Sequence, residues 1–259
     1  MPNGLRFLSL TPPNPALPLF IFLPGMDGTA LSMQQQLAGL KPGYDLCYLS
    51  VPSDDLTSWR GYIDQVVAHV KFERHRHDSR PIYLCGESFG GCLALQVVAA
   101  VPALFAGLIV VNAASAFKHL FWQTWIAVVV RQMSVPVYQL AANIVLPLLL
   151  DPERVAVKNR DDLLNAIQIV TPESAAWRLS LLANARIEWR SLPSFTAPTL
   201  LIASGRDQLL PSVAEAQRLV PYFAQAQVVT LTDSSHACLL EKEVNLAAIL
   251  RQAEGFYNI

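Results

Sequence analysis

Residues 82–91 read IYLCGESFGG, an apolar run followed by a serine among three glycines. The run 82–85 has the length and composition of a β-strand that is buried on both faces. Glycine costs backbone entropy and is therefore usually placed where a larger side chain cannot fit. The residues from 89 to 101 have a helical pattern. The stretch therefore predicts a strand, a tight turn that presents Ser88, and a helix.

The same alternation of short apolar runs and longer amphipathic segments occupies most of the chain. Each apolar run ends at a glycine, a proline or a polar residue, as a buried strand does. Strands that alternate with helices in this way form a mostly parallel sheet with helices on both faces. The sequence predicts strands at 19–23, 46–49, 82–85, 108–111, 200–203 and 228–231, an additional edge strand within 5–10, and helices at 29–40, 57–76, 89–101, 212–220 and 242–256.

Residues 116–195 interrupt the alternation, because this segment shows no clear buried strand. Its first part, 119–150, is strongly apolar. We expect Arg131, Pro136 and Pro147 to divide it into pieces that are too short to cross a bilayer.

The second part of the interruption, 151–195, has the pattern of two or three helices. Ligands of open parallel sheets bind at the carboxyl ends of the strands. We therefore predict a helical cap, 116–195, inserted over that edge of a core formed by 1–115 and 196–259.

The composition argues against nucleic-acid binding. The 259 residues carry a formal net charge of −1, so there is no global basic field to attract a polyanion. The chain is 53% hydrophobic and 15% charged. Because soluble domains average about 25% charged residues, we expect a large core or a partly apolar surface.

The four cysteines are scattered, without a paired or metal-ligand spacing. The first residues lack the cationic and apolar parts of a secretory signal. We therefore expect free thiols in a reducing, cytoplasmic compartment, with peripheral membrane contact through the cap as a further interpretation. We expect neither a metal nor another cofactor.

The segment Gly86–Gly90 fits G-x-S-x-G, the pattern of the nucleophile elbow in α/β-hydrolases. In that turn the serine lies at the sheet edge and at the N-terminus of a helix, whose dipole favours developing negative charge. The alternative is a glycine-rich turn without chemistry. The strand before Ser88 and the helix after it favour catalysis.

A serine alcohol needs a base to remove its proton, and histidine is the usual one. His236 follows the last predicted strand, in the polar loop 232–237, and could lie over the serine. A loop histidine without a role is the alternative. His75 and His77 lie in a charged segment, where a solvated helix end is favoured over a metal site.

The base needs an acid that fixes its tautomer, and the order in this fold is serine, acid, histidine. Asp207 follows the strand 200–203 at the correct edge. A surface role is its alternative. Asp233 lies so close to the histidine in sequence that we expect it to hold the loop. The other place where this fold supplies an acid contains Asn112.

A tetrahedral intermediate needs backbone donors for its oxyanion. One predicted donor is the amide of Phe89, directly after the nucleophile. The other is the amide of Met26, in the loop 23–29, where Gly25 permits a close approach. A plain turn before a helix is compatible with this role.

Five blocks carry a resemblance to a known family: FLPGMDGTA (22–30), IYLCGESFGGCLAL (82–95), VVNAASAF (110–117), LLIASGRDQLLPS (200–212) and DSSHACLLE (233–241). They resemble the α/β-hydrolase part of phytyl ester synthase-like esterase/lipase/thioesterase proteins of plastids and cyanobacteria. The resemblance runs from about residue 19 to the C-terminus and is weakest in the cap. It implies an α/β-hydrolase fold with a triad of Ser88, Asp207 and His236.

The resemblance also implies an enzyme for esters of long apolar acyl groups or of alcohols such as phytol. Plant members carry a second, acyltransferase-like module, and none follows before Ile259. Hydrolysis is therefore the expected reaction, acyl transfer the first alternative, and non-catalytic lipid binding the second. We expect an apolar acyl pocket, although the same residues could simply pack the cap on the sheet; its predicted members are Phe117, Phe121, Trp122 and Trp125.

Overall fold

A twisted sheet forms the centre of the molecule in the computed structural model, which describes residues 4–77, 79–120 and 123–256. Within these residues the sheet has seven strands in the order β1-β3-β2-β4-β5-β6-β7. Only β1 runs antiparallel to its neighbour, β3. The predicted mostly parallel architecture is therefore confirmed. The strands are β1 (Arg6–Ser9), β2 (Leu19–Leu23), β3 (Asp45–Ser50), β4 (Ile82–Glu87), β5 (Gly107–Val111), β6 (Thr199–Ser204) and β7 (Ala226–Leu231).

Helices connect the strands and cover both faces of the sheet. In the described part of the chain they are α1 (Leu31–Leu40), α2 (Trp59–Arg76), α3 (Phe89–Ala100), α4 (Gln123–Arg131), α5 (Val135–Leu149), α6 (Val157–Ile169), α7 (Pro172–Ala183), α8 (Ser212–Leu219) and α9 (Leu246–Gln252). The last helix is shorter than the predicted 242–256. It begins late because the Asn245 side chain accepts a hydrogen bond from the amide of Ala248, as an N-cap does.

The core lies on both faces of the sheet, and β2 shows how the sequence builds it. Leu19, Ile21 and Leu23 belong to a cluster that includes side chains of α2 and α3. Phe20 and Phe22 belong to a second cluster, with side chains of α1 and α9. Alternate residues of a strand face opposite sides, so a continuous apolar run is the pattern of a strand covered on both faces.

The chain between β5 and β6 contains α4 to α7, and its described residues include one isolated bridge, Val155 to Glu241, but no strand. Helix α4 packs against α7, and α5 packs against α6. An apolar cluster that includes Leu150 and Ala237 joins this helical segment to the loop after β7. The division into a core and a cap with bounds 116–195 stays a prediction.

Pro147 lies inside α5 and does not end it, contrary to our expectation. A proline removes the hydrogen bond to the carbonyl four residues earlier, here that of Asn143. Since Asn143 is exposed, water can satisfy that carbonyl, and the helix continues to Leu149. Among the described helices, none combines the length and the apolar character needed to cross a membrane.

Candidate active site

Ser88 lies in a strained turn between β4 and α3. Its φ of +53° and ψ of −111° place it in a region that L-residues rarely occupy. Two backbone hydrogen bonds hold this conformation: the Ser88 amide donates to the Val111 carbonyl at 2.9 Å, and the Ala114 amide donates to the Ser88 carbonyl at 3.0 Å. The end of β5 and the residues directly after it therefore hold both the amide and the carbonyl of Ser88.

The glycines on either side of Ser88 are required by close backbone packing. A Cβ atom at Gly90 would lie 2.0 Å from the carbonyl oxygen of Leu23, and one at Gly86 would lie 2.3 Å from the carbonyl oxygen of Gly90. Both obstacles are backbone atoms, which cannot rotate away. The elbow therefore packs directly against the end of β2, and this contact explains the sequence pattern around the serine.

The structure brings together three side chains that are far apart in sequence. The Nε2 atom of His236 lies 2.9 Å from the Oγ atom of Ser88, and its Nδ1 atom lies 2.7 Å from the Oδ2 atom of Asp207. The His236 and Asp207 side chains are 5% and 1% exposed. These distances allow a proton to pass from serine to histidine while the carboxylate holds the ring.

Asp207 accepts several hydrogen bonds besides the one from the histidine. The amides of Leu209 and Leu210 donate to its Oδ1 atom at 2.9 Å, and the Ser212 hydroxyl donates to Oδ2. Burial by itself would raise the pKa of Asp207, but the charge of His236 and these hydrogen bonds outweigh it and lower the pKa. The carboxyl group therefore stays ionised at neutral pH.

The histidine loop is tied to the sheet by a residue that sequence reasoning noted only as a missing acid. The side-chain amide of Asn112 donates to the His236 carbonyl at 2.7 Å, and its oxygen accepts from the Ser204 amide at 2.8 Å. Asn112 has a φ of +45°, which asparagine tolerates better than most residues. An asparagine directly after a buried strand was the only sequence signal for this role.

Glu241 holds the other side of the loop. Its carboxylate accepts from the Ser235 amide and the Ser234 hydroxyl, each at 2.8 Å, and it pairs with Arg154. Asp233, expected to hold this loop, forms an exposed ion pair with Arg206 of the loop after β6, and its role stays a prediction. Sequence reasoning missed the role of Glu241, although the glutamate ends one of the five quoted blocks.

The two predicted oxyanion donors lie near the serine. Phe89 follows Ser88 as the first residue of α3, where helix amides have no partner within the helix. A Cβ atom at Gly25 would lie 3.9 Å from the Cβ atom of Ser88, so the loop that contains Met26 lies close to the nucleophile's residue. The role of these amides stays a prediction.

The predicted acyl-pocket residues are distributed differently from the expectation. Phe117 is buried in the main core cluster, among side chains of β5 and α3. Trp125 is 71% exposed, which does not fit an enclosed pocket, because its position on α4 faces solvent. Phe121 and Trp122 lie outside the described residues.

The family model for serine aminopeptidase, S33 (Hydrolase_4), matches residues 53–243 of the chain. The chain belongs to this family. The family is one of α/β-hydrolases with a serine nucleophile, in agreement with the sheet described above.

Two curated relatives are phytyl ester synthase 1 and phytyl ester synthase 2, both chloroplastic, of Arabidopsis thaliana. Each aligns with 90% of this chain at 30% sequence identity, which confirms the resemblance drawn from the five blocks. The chain spans 36% and 37% of the length of these relatives.

Several solved structures share the fold at low identity. The α/β-hydrolase MGS-M2 from a Medee basin deep-sea metagenome library has a TM-score of 0.78 at 17% identity. The superposition covers 98% of this chain and 95% of the MGS-M2 chain. The esterase RhEst1 from Rhodococcus sp. has a TM-score of 0.78 at 17% identity, with 96% and 93% covered. These similarities confirm the α/β-hydrolase fold.

Glu87, directly before the nucleophile, is a buried carboxyl group that sequence reasoning did not single out. The Ser32 hydroxyl donates to its Oε2 atom at 2.5 Å. Burial raises the pKa of Glu87 to about 7, and the nearby charge of Asp27 acts in the same direction, against the hydrogen bond from Ser32 and the charge of His236. Between the ordinary pKa of 4.5 and about pH 7, Glu87 therefore carries a proton in the folded protein but has lost it in the unfolded chain.

Glu87→Gln should make stability less dependent on pH. The folded state holds the Glu87 proton up to a pKa of about 7, whereas the ordinary pKa is 4.5, so the wild-type protein loses stability as pH rises through this window. Above the window, the glutamine variant should be more stable than wild type by up to about 3 kcal/mol. Urea denaturation at pH 5 and pH 8 measures the free energy of unfolding of both proteins. If the variant differs from wild type by the same free energy at both pH values, the prediction is refuted.

Proposed function

We propose that the protein is a serine esterase that cleaves carboxylic esters of long apolar acyl groups or alcohols through an acyl-enzyme. One observation carries the proposal: the pair of short contacts from Ser88 Oγ to His236 Nε2 and from His236 Nδ1 to Asp207 Oδ2. Membership in a serine hydrolase family supports it. No residue other than these three is needed for nucleophile, base and acid.

In the proposed reaction, Ser88 attacks the ester carbonyl carbon while His236 takes the hydroxyl proton at Nε2. Asp207 accepts the Nδ1–H hydrogen bond, so it keeps the ring in the reactive tautomer and stabilises the imidazolium. The amides of Met26 and Phe89 donate to the oxyanion of the tetrahedral intermediate.

Collapse of the intermediate breaks the ester bond, and His236 returns its proton to the departing alcohol. Water then enters, gives its proton to His236 and attacks the acyl group on Ser88. A second collapse releases the carboxylic acid and restores the serine hydroxyl.

Two observations support an apolar substrate. The relatives are named for phytyl esters, in which both parts beside the ester bond are hydrophobic. The first part of the segment between β5 and β6, residues 116–150, is also strongly apolar and contains no aspartate or glutamate. A positively charged substrate would find no carboxylate partner in these residues.

Substitution of the three side chains should abolish ester turnover without unfolding the protein. For p-nitrophenyl esters we expect kcat to fall about 10⁴-fold or more in Ser88→Ala and His236→Ala, and about 10³- to 10⁴-fold in Asp207→Asn. Asp233→Asn is the matched control: this carboxylate is exposed and paired with Arg206, so activity should stay within about twofold of wild type. Wild-type protein that is no faster than Ser88→Ala would instead indicate a non-catalytic lipid-binding protein.

Acyl transfer is the second candidate reaction, and the names of the relatives favour it. In transfer an alcohol takes the place of water against the same acyl-enzyme, so the three side chains would act identically. Incubation of the enzyme with a p-nitrophenyl acyl ester, with and without phytol, separates the two. Free fatty acid in both samples supports hydrolysis, whereas phytyl ester that replaces most of the fatty acid supports transfer.

We also propose that the protein meets its substrate at a lipid surface, through exposed side chains of α4 and α5. One face of α5 is exposed and apolar along its length; it consists of Val137, Leu140, Ile144, Val145 and Leu148. The opposite face, with Tyr138 and Ala142, is buried. On α4, Trp125, Val128 and Val129 are also exposed.

Charge favours an anionic lipid surface as the partner of this apolar face. The two helices carry Arg131 and no carboxylate, whereas the whole chain has a net charge of −1. Apolar side chains, a tryptophan and a cation are the combination found in helices that lie in a membrane interface. Anionic headgroups attract such a segment further.

The double substitution Leu140→Glu with Ile144→Glu should weaken vesicle binding about tenfold or more, because two apolar contacts are lost and two repelling charges are added. Sedimentation with phosphatidylcholine vesicles, with and without phosphatidylglycerol, measures this. Phe72→Glu, at an exposed apolar position on α2, is the control and should bind like wild type. Unchanged binding of the double variant would contradict the proposal, as would a wild-type dimer that the double variant converts to a monomer.

A further inference from the structure

Helix α7 is held against the segment 52–57, between β3 and α2, by side chains from one of its faces. Ser174, Trp177 and Arg178 donate hydrogen bonds of 2.7, 2.9 and 2.6 Å to backbone carbonyls of that segment. Residues three and four apart share a helix face. The helix is therefore fixed to the part of the molecule that contains the sheet.

Arg178 also reaches the loop after β2. Its Nη1 atom donates to the carbonyl of Met26. Gly25, in the same loop, is close to the nucleophile: a Cβ atom at this position would lie 3.9 Å from the Cβ atom of Ser88. A Cβ atom at Gly28 would lie 3.4 Å from Nη1 of the arginine. The loop therefore has both the guanidinium group and the nucleophile's residue as close neighbours.

The arginine is deeply buried, with 1% of its surface exposed. None of the ion pairs among the described residues includes Arg178. Its guanidinium group donates to the carbonyls of Met26 and Pro52 and also interacts with the Tyr62 hydroxyl, whereas its Nε atom has no hydrogen-bond partner among the described residues. A buried charge is costly unless its hydrogen bonds are kept. The carbonyl of Met26 is therefore held firmly, and this fixes the Cα atom of Met26, to which the amide of the same residue is attached.

We propose that Arg178 is a positioning residue, which fixes the loop after β2 so that the Met26 amide can stabilise the oxyanion. The inference rests on the esterase reaction proposed above. An oxyanion donor must lie at hydrogen-bond distance from the oxygen of the tetrahedral intermediate, and the ground-state ester makes less use of it. Loss of the arginine should therefore affect the rate of the chemical step and leave substrate binding intact.

Arg178→Met and Arg178→Lys test this role, with Ser174→Ala as the matched control. The Ser174 hydroxyl also joins α7 to the segment 52–57, but it donates to the carbonyl of Asp55 and not to the loop after β2. The measurements are kcat and KM for a short, soluble p-nitrophenyl ester, inhibition by an alkyl boronic acid that forms a tetrahedral adduct on Ser88, and the melting temperature.

We expect kcat to fall about 10- to 100-fold in Arg178→Met, with KM within about threefold of wild type and boronic acid inhibition weakened in parallel with kcat. Arg178→Lys keeps the positive charge but offers one nitrogen atom as donor where the arginine uses two. Its kcat should therefore lie between that of wild type and that of Arg178→Met. Ser174→Ala should lower the melting temperature but keep kcat within about twofold.

The proposal is wrong if Arg178→Met retains wild-type kcat, if its loss lies in KM, or if Ser174→Ala loses as much kcat. If Arg178→Met does not fold, the lysine variant decides by the same criteria. Failure of the proposed esterase reaction would look different, because wild-type protein would then turn over no faster than Ser88→Ala.

Discussion

Close contact between the backbone of the serine turn and the end of β2 is the constraint on which the site depends. The carbonyl oxygen of Leu23 occupies the space where a Cβ atom of Gly90 would lie. This contact sets the position of Ser88, at the first turn of α3, and also that of the loop directly after Leu23. The same packing therefore helps to position both the nucleophile and the predicted oxyanion donor Met26, and a larger residue at Gly90 would displace both.

The rest of the site is held by polar side chains that connect separate elements. Asn112 joins the end of β5 to β6 and to the histidine loop, Glu241 accepts from two residues of that loop, and Arg178 joins α7 to the loop after β2. Each of them is buried, where unpaired polar groups are costly. Their contacts therefore rigidify the loops, which would otherwise be the most mobile part of such a fold.

Local patterns were enough to predict the strands, the helices of the core and the partners Ser88, Asp207 and His236, because apolar runs, glycine spacing and chain order depend on nearby residues. The late start of α9 and the continuation of α5 through Pro147 depend on a cap and on solvent access, which the patterns did not reveal. The roles of Asn112 and Arg178 depend on contacts across more than 90 residues. The exposure of Trp125 depends on how α4 packs against α7.

Mass spectrometry of the protein after reaction with a fluorophosphonate tests the central claim most directly, since this probe reacts far faster with an activated serine than with other side chains. We predict one adduct per chain, located on the peptide that contains Ser88, and labelling about 10³-fold slower in His236→Ala. Labelling at another residue, or an equal rate in the histidine variant, would contradict the claim that these side chains act as one unit.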